Sequence, residues 1–182
     1  MRIGLIGYGV VGKAADNTFS QEFEIIKYDK YQTLDSFDNL RDCDFVFIMV
    51  PTPFDCKKNN VDLTAVSESL ENLEEIGYKG IVLVKSTVPP GTCDSYLKNF
   101  NYDIVFNPEF LRESTTPNED FKNQDTIVVG TSSLEIFNKV KKMYSKVAVS
   151  NAKYYHTSIR EAEMIKTVQN TMLASRVALA NM

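Results

Sequence analysis

The chain has 182 residues, 43% of them hydrophobic and 24% charged, with a formal net charge of −4. That length suits one domain with a sizeable core and is short for two, and the composition is that of an ordinary globular protein. The acidic balance, without any basic run, argues against a nucleic-acid binder, and no apolar stretch is long enough to cross a bilayer.

Arg2 to Ile6 reads as a short strand. It runs into Gly7-Tyr8-Gly9-Val10-Val11-Gly12, a G-x-G-x-x-G turn that opens a helix reaching about Phe19. Gly7 permits the tight turn out of the strand, Gly9 lets a pyrophosphate approach the backbone, and Gly12 lets the helix pack closely on the strand. The helix start, at Val10 and Val11, offers unpaired N–H groups and a partial positive charge to phosphates. Glu24 to Tyr28 reads as a second strand ending at Asp29, roughly 20 residues beyond the glycines. An acid there accepts both ribose hydroxyls of an adenosine and repels a 2′-phosphate, which predicts NAD over NADP. Lys27 and Lys30 weaken that preference a little.

Thr33 to Leu40 reads as a polar link with at most one helical turn. Phe45 to Val50 is a continuous apolar run, as in a strand buried on both faces, and Pro51-Thr52-Pro53 stops it. Ligands of an open parallel sheet bind outside the carboxyl ends of the strands, which puts Pro51, Thr52 and Pro53 beside the cofactor, with Val50 at the strand end also expected to bind it; the alternative is a plain strand-stopping turn. Phe54 to Val61 is expected to be a polar loop. Thr64 to Ile76 is expected to be a helix, with Val66, Leu70, Leu73 and Ile76 at helical spacing. Gly80 to Lys85 is a further buried strand running into Ser86 to Thr92, where Thr92 is expected to cap a helix carrying Tyr96 and Leu97. Asp103 to Phe106 is the next strand, followed by Asn107 to Ser114. Thr126 to Val129 is a short strand closed by Gly130, Leu134 to Tyr144 is a helix, and Val147 to Val149 is expected to be the last strand. A helical pattern without proline or glycine then runs from Ile159 to Met182. Strands alternating with helices predict the α/β class: a doubly wound, mainly parallel Rossmann-type sheet followed by the start of a long helix.

Two features of this pattern bear on chemistry. Lys166 and Asn170 are four apart on the last helix and share a face, a cation and a neutral donor suited to a developing alkoxide. Glu163, three residues before Lys166, could instead pair with it as a surface salt bridge. Glu109 follows a proline at the carboxyl end of a strand, so it is either a base near the ligand crevice or a solvated loop acid. Phe110 and Leu111 are of a type more often found in a core. Cys43, Cys56 and Cys93 show no metal-type pairing, so no metal is expected. An odd thiol count and no charged-then-apolar leader give the expectation of a cytoplasmic chain. His156, the only histidine, lies in a polar stretch and is expected on the surface.

Gly7 to Gly12, Lys85-Ser86-Thr87-Val88-Pro89-Pro90-Gly91-Thr92, Asn107-Pro108-Glu109-Phe110-Leu111-Arg112-Glu113, and Glu161 to Lys166 with Asn170 resemble the nucleotide-sugar dehydrogenases of the UDP-glucose 6-dehydrogenase and GDP-mannose dehydrogenase family. The resemblance covers the whole chain in order, and its second and third segments are specific to that family. It implies two successive oxidations of a sugar 6-hydroxymethyl to a carboxylate with two NAD, through attack of a cysteine on the aldehyde and hydrolysis of a thioester. By that resemblance Thr87 sits by the catalytic water, Glu109 handles protons, and Lys166 and Asn170 stabilise the oxyanion. Glu109, Phe110, Leu111, Arg112 and Glu113 line the sugar-nucleotide side, and Thr87 and Glu113 also reach the cofactor. The substrate is then a UDP- or GDP-sugar, and the full-length protein a homodimer paired through the long helix.

The departures shape the expectation. The family's nucleophilic cysteine and second nucleotide-type domain lie beyond the long helix, so the chain is expected to be the NAD-binding half, inactive alone. Residues 1–158 are expected to form the NAD-binding domain and 159–182 the start of the central helix. The segment between Asp29 and Asp44 is shorter than the family norm. Cys93, at a helix start where the dipole favours thiolate, is a candidate for a relocated nucleophile. Two other readings stay open: a β-hydroxyacid dehydrogenase using Lys166 and Asn170, and a non-catalytic NAD-binding module that pairs with a partner through its last helix.

Overall fold

The computed structural model describes residues 1–112 and 114–182. Nine strands and six α-helices follow one another among them. β1 (Arg2–Ile6), α1 (Val10–Phe19) and β2 (Glu24–Tyr28) lead through a 3-10 turn (Phe37–Asp42) to β3 (Phe45–Ile48). β4 (Phe54–Asp55), β5 (Asn60–Val61), α2 (Thr64–Glu75), β6 (Ile81–Val84), α3 (Thr92–Tyr96) and β7 (Asp103–Phe106) come next. α4 (Pro117–Lys122), β8 (Thr126–Gly130), α5 (Leu134–Tyr144), β9 (Lys153–Thr157) and α6 (Ile159–Ala180) complete the order.

Seven strands form one sheet in the order β2-β1-β3-β6-β7-β8-β9. All neighbours are parallel except β7 and β8, which meet antiparallel at Phe106 and Gly130. The strand order reverses at β1, and the crevice there, outside the carboxyl ends of β1 and β3, is the expected ligand position in such a sheet.

Both faces of the sheet are covered, which is why its central strands read as unbroken apolar runs. Successive side chains alternate faces. Leu5, Phe45, Phe47, Ile81, Leu83, Val105, Ile127 and Val129 pack under α1, α4 and α5, meeting Ala14, Phe19, Phe121, Phe137 and Tyr144. Val46, Ile48, Val82, Val84, Ile104 and Phe106 pack under α2, α3 and α6, meeting Leu70, Leu73, Cys93, Ile159 and Ala162. Phe19 stacks edge-on against Phe47, Phe121 and Tyr144, so one fully buried ring joins α1, β3, α4 and α5. Burial of such a ring contributes about 1.5–3 kcal/mol.

The structure departs from the pattern reading in several places. Val147 to Val149 is not a strand; Val147 and Ala148 lie in the turn after α5 with their side chains against the core. The last strand is β9, an edge strand that is largely exposed and so carries no apolar run. α4 has a single buried residue, Phe121, and a proline at its start, too little periodicity to read. The segment expected as a polar loop after Pro53 contains a two-residue hairpin, β4 with β5. Thr92 does not cap α3: its Oγ1 donates to the Pro89 carbonyl, and Gly91 occupies the cap position. α6 opens with a capping box between Ser158 and Glu161. Its first half packs on the sheet, while Met164, Val168, Met172, Val177 and Leu179 are exposed. No helix is long and apolar enough to cross a membrane among the described residues.

Candidate functional site

The turn between β1 and α1 has the shape its glycines dictate. Gly7 takes φ +93°, a left-handed conformation open to glycine at little cost. Gly12 sits directly against the Gly7 carbonyl, where any side chain would collide. A Cβ at Gly9 would meet nothing within 4 Å, so the backbone there faces open space at the N-terminus of α1. The free N–H groups of that turn and the helix dipole make this an anion-accepting surface.

Asp29 follows β2 beside this turn. Its carboxylate accepts the Tyr8 N–H at 2.8 Å and the Tyr31 N–H at 2.9 Å, which fixes the side chain at the edge of the crevice. Asp29 and Gly9 line a cleft of about 570 Å³ with Tyr31, Gln32, Val50, Pro51 and Ser69. Lys30, which follows Asp29, is held in an ion pair with Glu68 at 3.0 Å.

A second cavity, of about 400 Å³, adjoins the first and shares Gly9, Met49, Val50 and Pro51 with it. Val10, Val11, Thr52, Lys85, Ser86, Thr87 and Glu109 complete its wall. Two hydroxyls tie the ends of β3 and β6 together under it: Thr52 Oγ1 donates to the Thr87 carbonyl and Ser86 Oγ to the Val50 carbonyl, each at 2.7 Å. A third cleft carries Phe110, Leu111, Arg112, Lys166 and Asn170.

Glu109 and Lys166 stand between the second and third of these spaces. Lys166 Nζ donates to the Glu109 carbonyl at 2.6 Å and to its Oε1 at 3.0 Å, and both side chains are about nine-tenths buried. The second carboxylate oxygen, Oε2, is buried without a hydrogen-bond partner among the described residues. An orphan oxygen of this kind costs free energy unless it serves a ligand or a proton. Glu109 is therefore not a solvated loop acid. The ammonium of Lys166 also lies 5.6 Å from the Phe110 ring, which is half-buried against the α2 and α6 side.

Glu163 does not pair with Lys166. It is fully buried, and its carboxylate accepts the N–H groups of Gly91 at 2.5 Å and Cys93 at 2.8 Å. α6 thus caps the N-terminus of α3 from outside, which explains why Thr92 is not needed there. The same contact answers the Cys93 proposal. Burial and the Glu163 carboxylate push the Cys93 thiol well above its ordinary range, the reverse of what a nucleophile requires. Burial likewise pushes the Cys43 thiol up to about 12. Cys56 is exposed.

Arg112 is largely exposed and makes a two-pronged contact with Asp120, at 2.9 and 2.7 Å. That guanidinium holds the Asp120 carboxyl well below the usual carboxylate range. Asn170 is exposed on the same stretch of α6 as Lys166. Glu113 lies outside the described residues. His156 stacks on Phe137, and its Nε2 faces the Thr131 carbonyl at 2.9 Å, away from the cavities.

Sequence reading named Lys85 as the end of a strand and the start of a family segment but gave it no role of its own. It ends the apolar run of β6 and is only 1% exposed. Its three N–H donors are matched by the Asn107 carbonyl at 3.1 Å, Asn107 Oδ1 at 2.9 Å and the Tyr144 hydroxyl at 3.1 Å. A lysine closing a buried strand was the available signal.

Comparison with known proteins gives a consistent answer. The sequence profile described as "UDP-glucose/GDP-mannose dehydrogenase family, NAD binding domain" matches residues 26–148. A UDP-glucose 6-dehydrogenase of Rickettsia prowazekii is 34% identical over 150 residues, covering 79% of this chain and 34% of that protein. The solved UDP-glucose dehydrogenase of Pyrobaculum islandicum superposes with a TM-score of 0.84 at 25% identity, over 99% of this chain and 51% of that one. A GDP-mannose dehydrogenase from Pseudomonas aeruginosa, 24% identical, shares the fold with a TM-score of 0.86 over 100% of this chain and 52% of that one. The chain spans about a third of the length of the curated relatives it matches. With a profile match over more than half its residues, the chain belongs to the UDP-glucose/GDP-mannose dehydrogenase family, as its NAD-binding domain.

Proposed function

We propose that this chain holds NAD across the crevice at the end of β1, and that the whole protein oxidises a nucleotide sugar of the UDP-glucose or GDP-mannose kind. In this reading the N–H groups around Gly9, Val10 and Val11 take the pyrophosphate and Asp29 the adenosine ribose. Val50, Pro51, Thr52 and Thr87 flank the nicotinamide half, and NAD supplies a hydride acceptor there. The fit rests on the open space at Gly9, the fixed carboxylate of Asp29 and a cavity that joins them.

The single observation that carries the oxidation is the buried Lys166–Glu109 pair with its orphan oxygen on the wall of the same cavity. Glu109 Oε2 is placed to hold or move a proton, and Lys166 to oppose negative charge forming on a substrate oxygen. Asn170 adds a neutral donor one turn on, and Phe110, Leu111, Arg112 and Glu113 form the sugar-nucleotide side. The exposed apolar residues of α6 support a homodimer through that helix in the complete protein. We place the protein in the cytoplasm, and the division at residue 158 remains the proposed boundary between the NAD domain and the central helix.

Calorimetry on the 182-residue chain tests the cofactor half of this reading. NAD should bind, NADP should bind at least tenfold more weakly, and Asp29→Asn should cost NAD about tenfold in affinity while leaving the circular dichroism spectrum unchanged. Lack of NAD binding, or an Asp29→Asn chain that binds NAD as well as the parent, would refute it. Binding of UDP-glucose or GDP-mannose in the same titration identifies the sugar nucleotide.

A further inference from the structure

Lys85 is the one ionisable group on the wall of the Thr87–Glu109 cavity that the proposed chemistry leaves unused. Its ammonium is wholly buried, ringed by Phe47 at 5.7 Å, Phe121 at 5.4 Å and Tyr144 at 5.8 Å. All three of its hydrogen bonds go to neutral oxygens. Among the described residues no carboxylate lies within ion-pair distance of it. The one acid on the same wall, Glu109, is already paired with Lys166. Among the described residues, the charges of this region, Lys85, Glu109 and Lys166, therefore sum to one uncompensated positive charge.

A buried cation without a counter-ion is costly, and a network that served only to join β6 to β7 and α5 could be built from neutral groups at less expense. Lys85 lines the cavity while its ammonium bonds to Asn107 and Tyr144 in the core behind that wall, and a positive charge in so desolvated a surround acts on a charge brought into the adjoining cavity. The nicotinamide ring is a cation when oxidised and neutral when reduced, whereas the phosphates of the molecule are the same in both forms. The difference in affinity between the two forms thus isolates the interaction of the ring charge with its surroundings.

We propose that Lys85 is a charge-selecting residue of the cofactor cavity, whose buried ammonium opposes the oxidised ring and so favours NADH over NAD in this domain. This inference rests on the NAD reading given above. Its consequence is that the bound couple is a stronger hydride acceptor than the free one. A tenfold preference for the reduced form corresponds to about 30 mV for a two-electron couple.

The experiment is a pair of titrations, with NAD and with NADH, at pH 7 on the parent chain, Lys85→Met and Tyr144→Phe. The ratio of the two affinities in the parent should favour NADH about tenfold, and in Lys85→Met it should fall by about that factor. Tyr144→Phe removes one bond of the same network and keeps the charge, so its ratio should stay at the parent value even if its melting temperature drops. Should Lys85→Met fail to fold, the parent ratio is followed from pH 7 to 9.5 instead. Burial holds the Lys85 ammonium down at about 8, so the preference for NADH should fade across that range. The other ionisable groups facing Lys85 are Glu109 from the loop after β7, Lys166 from α6 and Tyr144 from α5. A folded Lys85→Met chain with the parent ratio, or a parent ratio that stays flat with pH, overturns the inference while leaving the NAD reading intact. Failure of both forms to bind overturns the NAD reading and this inference with it.

Discussion

A methyl group added at Gly12 meets the carbonyl of Gly7, and one added at Gly9 meets nothing. The two glycines of one motif thus differ in what surrounds them, close packing at Gly12 and open space at Gly9, where the proposed pyrophosphate would approach. Gly12→Ala forces the first turn of α1 away from β1 and is expected to cost about 1–3 kcal/mol of stability. Gly9→Ala keeps an ordinary backbone conformation, φ −78°, and should change stability by less than about 0.5 kcal/mol. Its NAD affinity should nevertheless fall at least tenfold, because the methyl group occupies the open face of the turn. Urea unfolding and NAD calorimetry on the two variants measure both effects. Equal loss of stability in the two would show that the turn is shaped by packing alone. At this scale the sequence was informative where a residue's reason is local. It misled where the reason is a distant partner: Glu163 and Lys166 share a helix face, yet each is claimed by a different segment.

Those partners are what join the elements of the site. α6 reaches α3 through Glu163 and the loop after β7 through Lys166, three residues apart on one helix. Thr87 and Glu109, on which the oxidation is proposed to depend, each follow one of two neighbouring parallel strands, β6 and β7, and α6 holds Glu109 in place through Lys166. Glu163→Gln leaves one good acceptor where two charge-assisted hydrogen bonds stood. It should cost about 1–3 kcal/mol and speed amide exchange at Gly91 and Cys93 ahead of global unfolding. Protection of those two amides at the parent level would mean that α3 is held by its apolar contacts and not by α6. The elements that escaped sequence reading are those with little apolar periodicity. β9 is an exposed edge strand and α4 buries a single ring. The opposite error, reading Val147 to Val149 as a strand, came from an apolar run that the chain uses to seal a turn against the core.

The pH response belongs to the molecule as a whole, since it sums buried groups on both faces of the sheet. Lys85 has a folded value held down near 8 against an ordinary 10.5. Between those values the unfolded chain binds a proton that the folded chain does not, so stability rises with pH there. Cys43, held up at about 12 against an ordinary 9.0, acts in the other direction. Its contribution is complete below pH 9 and is lost as pH climbs toward 12. Burial also pushes Cys93 and the phenols of Tyr78, Tyr102 and Tyr144 upward, which adds to the alkaline loss. The expected curve climbs by on the order of 1 kcal/mol per pH unit between about pH 8 and 9 and then turns over. In Lys85→Met the climb should be absent and the alkaline fall retained. Urea midpoints from pH 7 to 11 on both chains give the comparison, and parallel curves would contradict the assignment to Lys85.

The sequence by itself determined the alternation of strands and helices, the glycine turn with Asp29 behind it, and the segments that mark the family. All of these depend on spacing along the chain, where the periods of strand, turn and helix are directly expressed. Only the tertiary structure decided that Glu109 pairs with Lys166, that Glu163 caps α3, that Cys93 is sealed from solvent, and that Lys85 is buried beside the cavity among neutral oxygens. Each of these joins residues 22 to 72 positions apart or depends on burial. A side chain's partner and its exclusion from water are set by which elements pack together, and no local pattern in the chain encodes that.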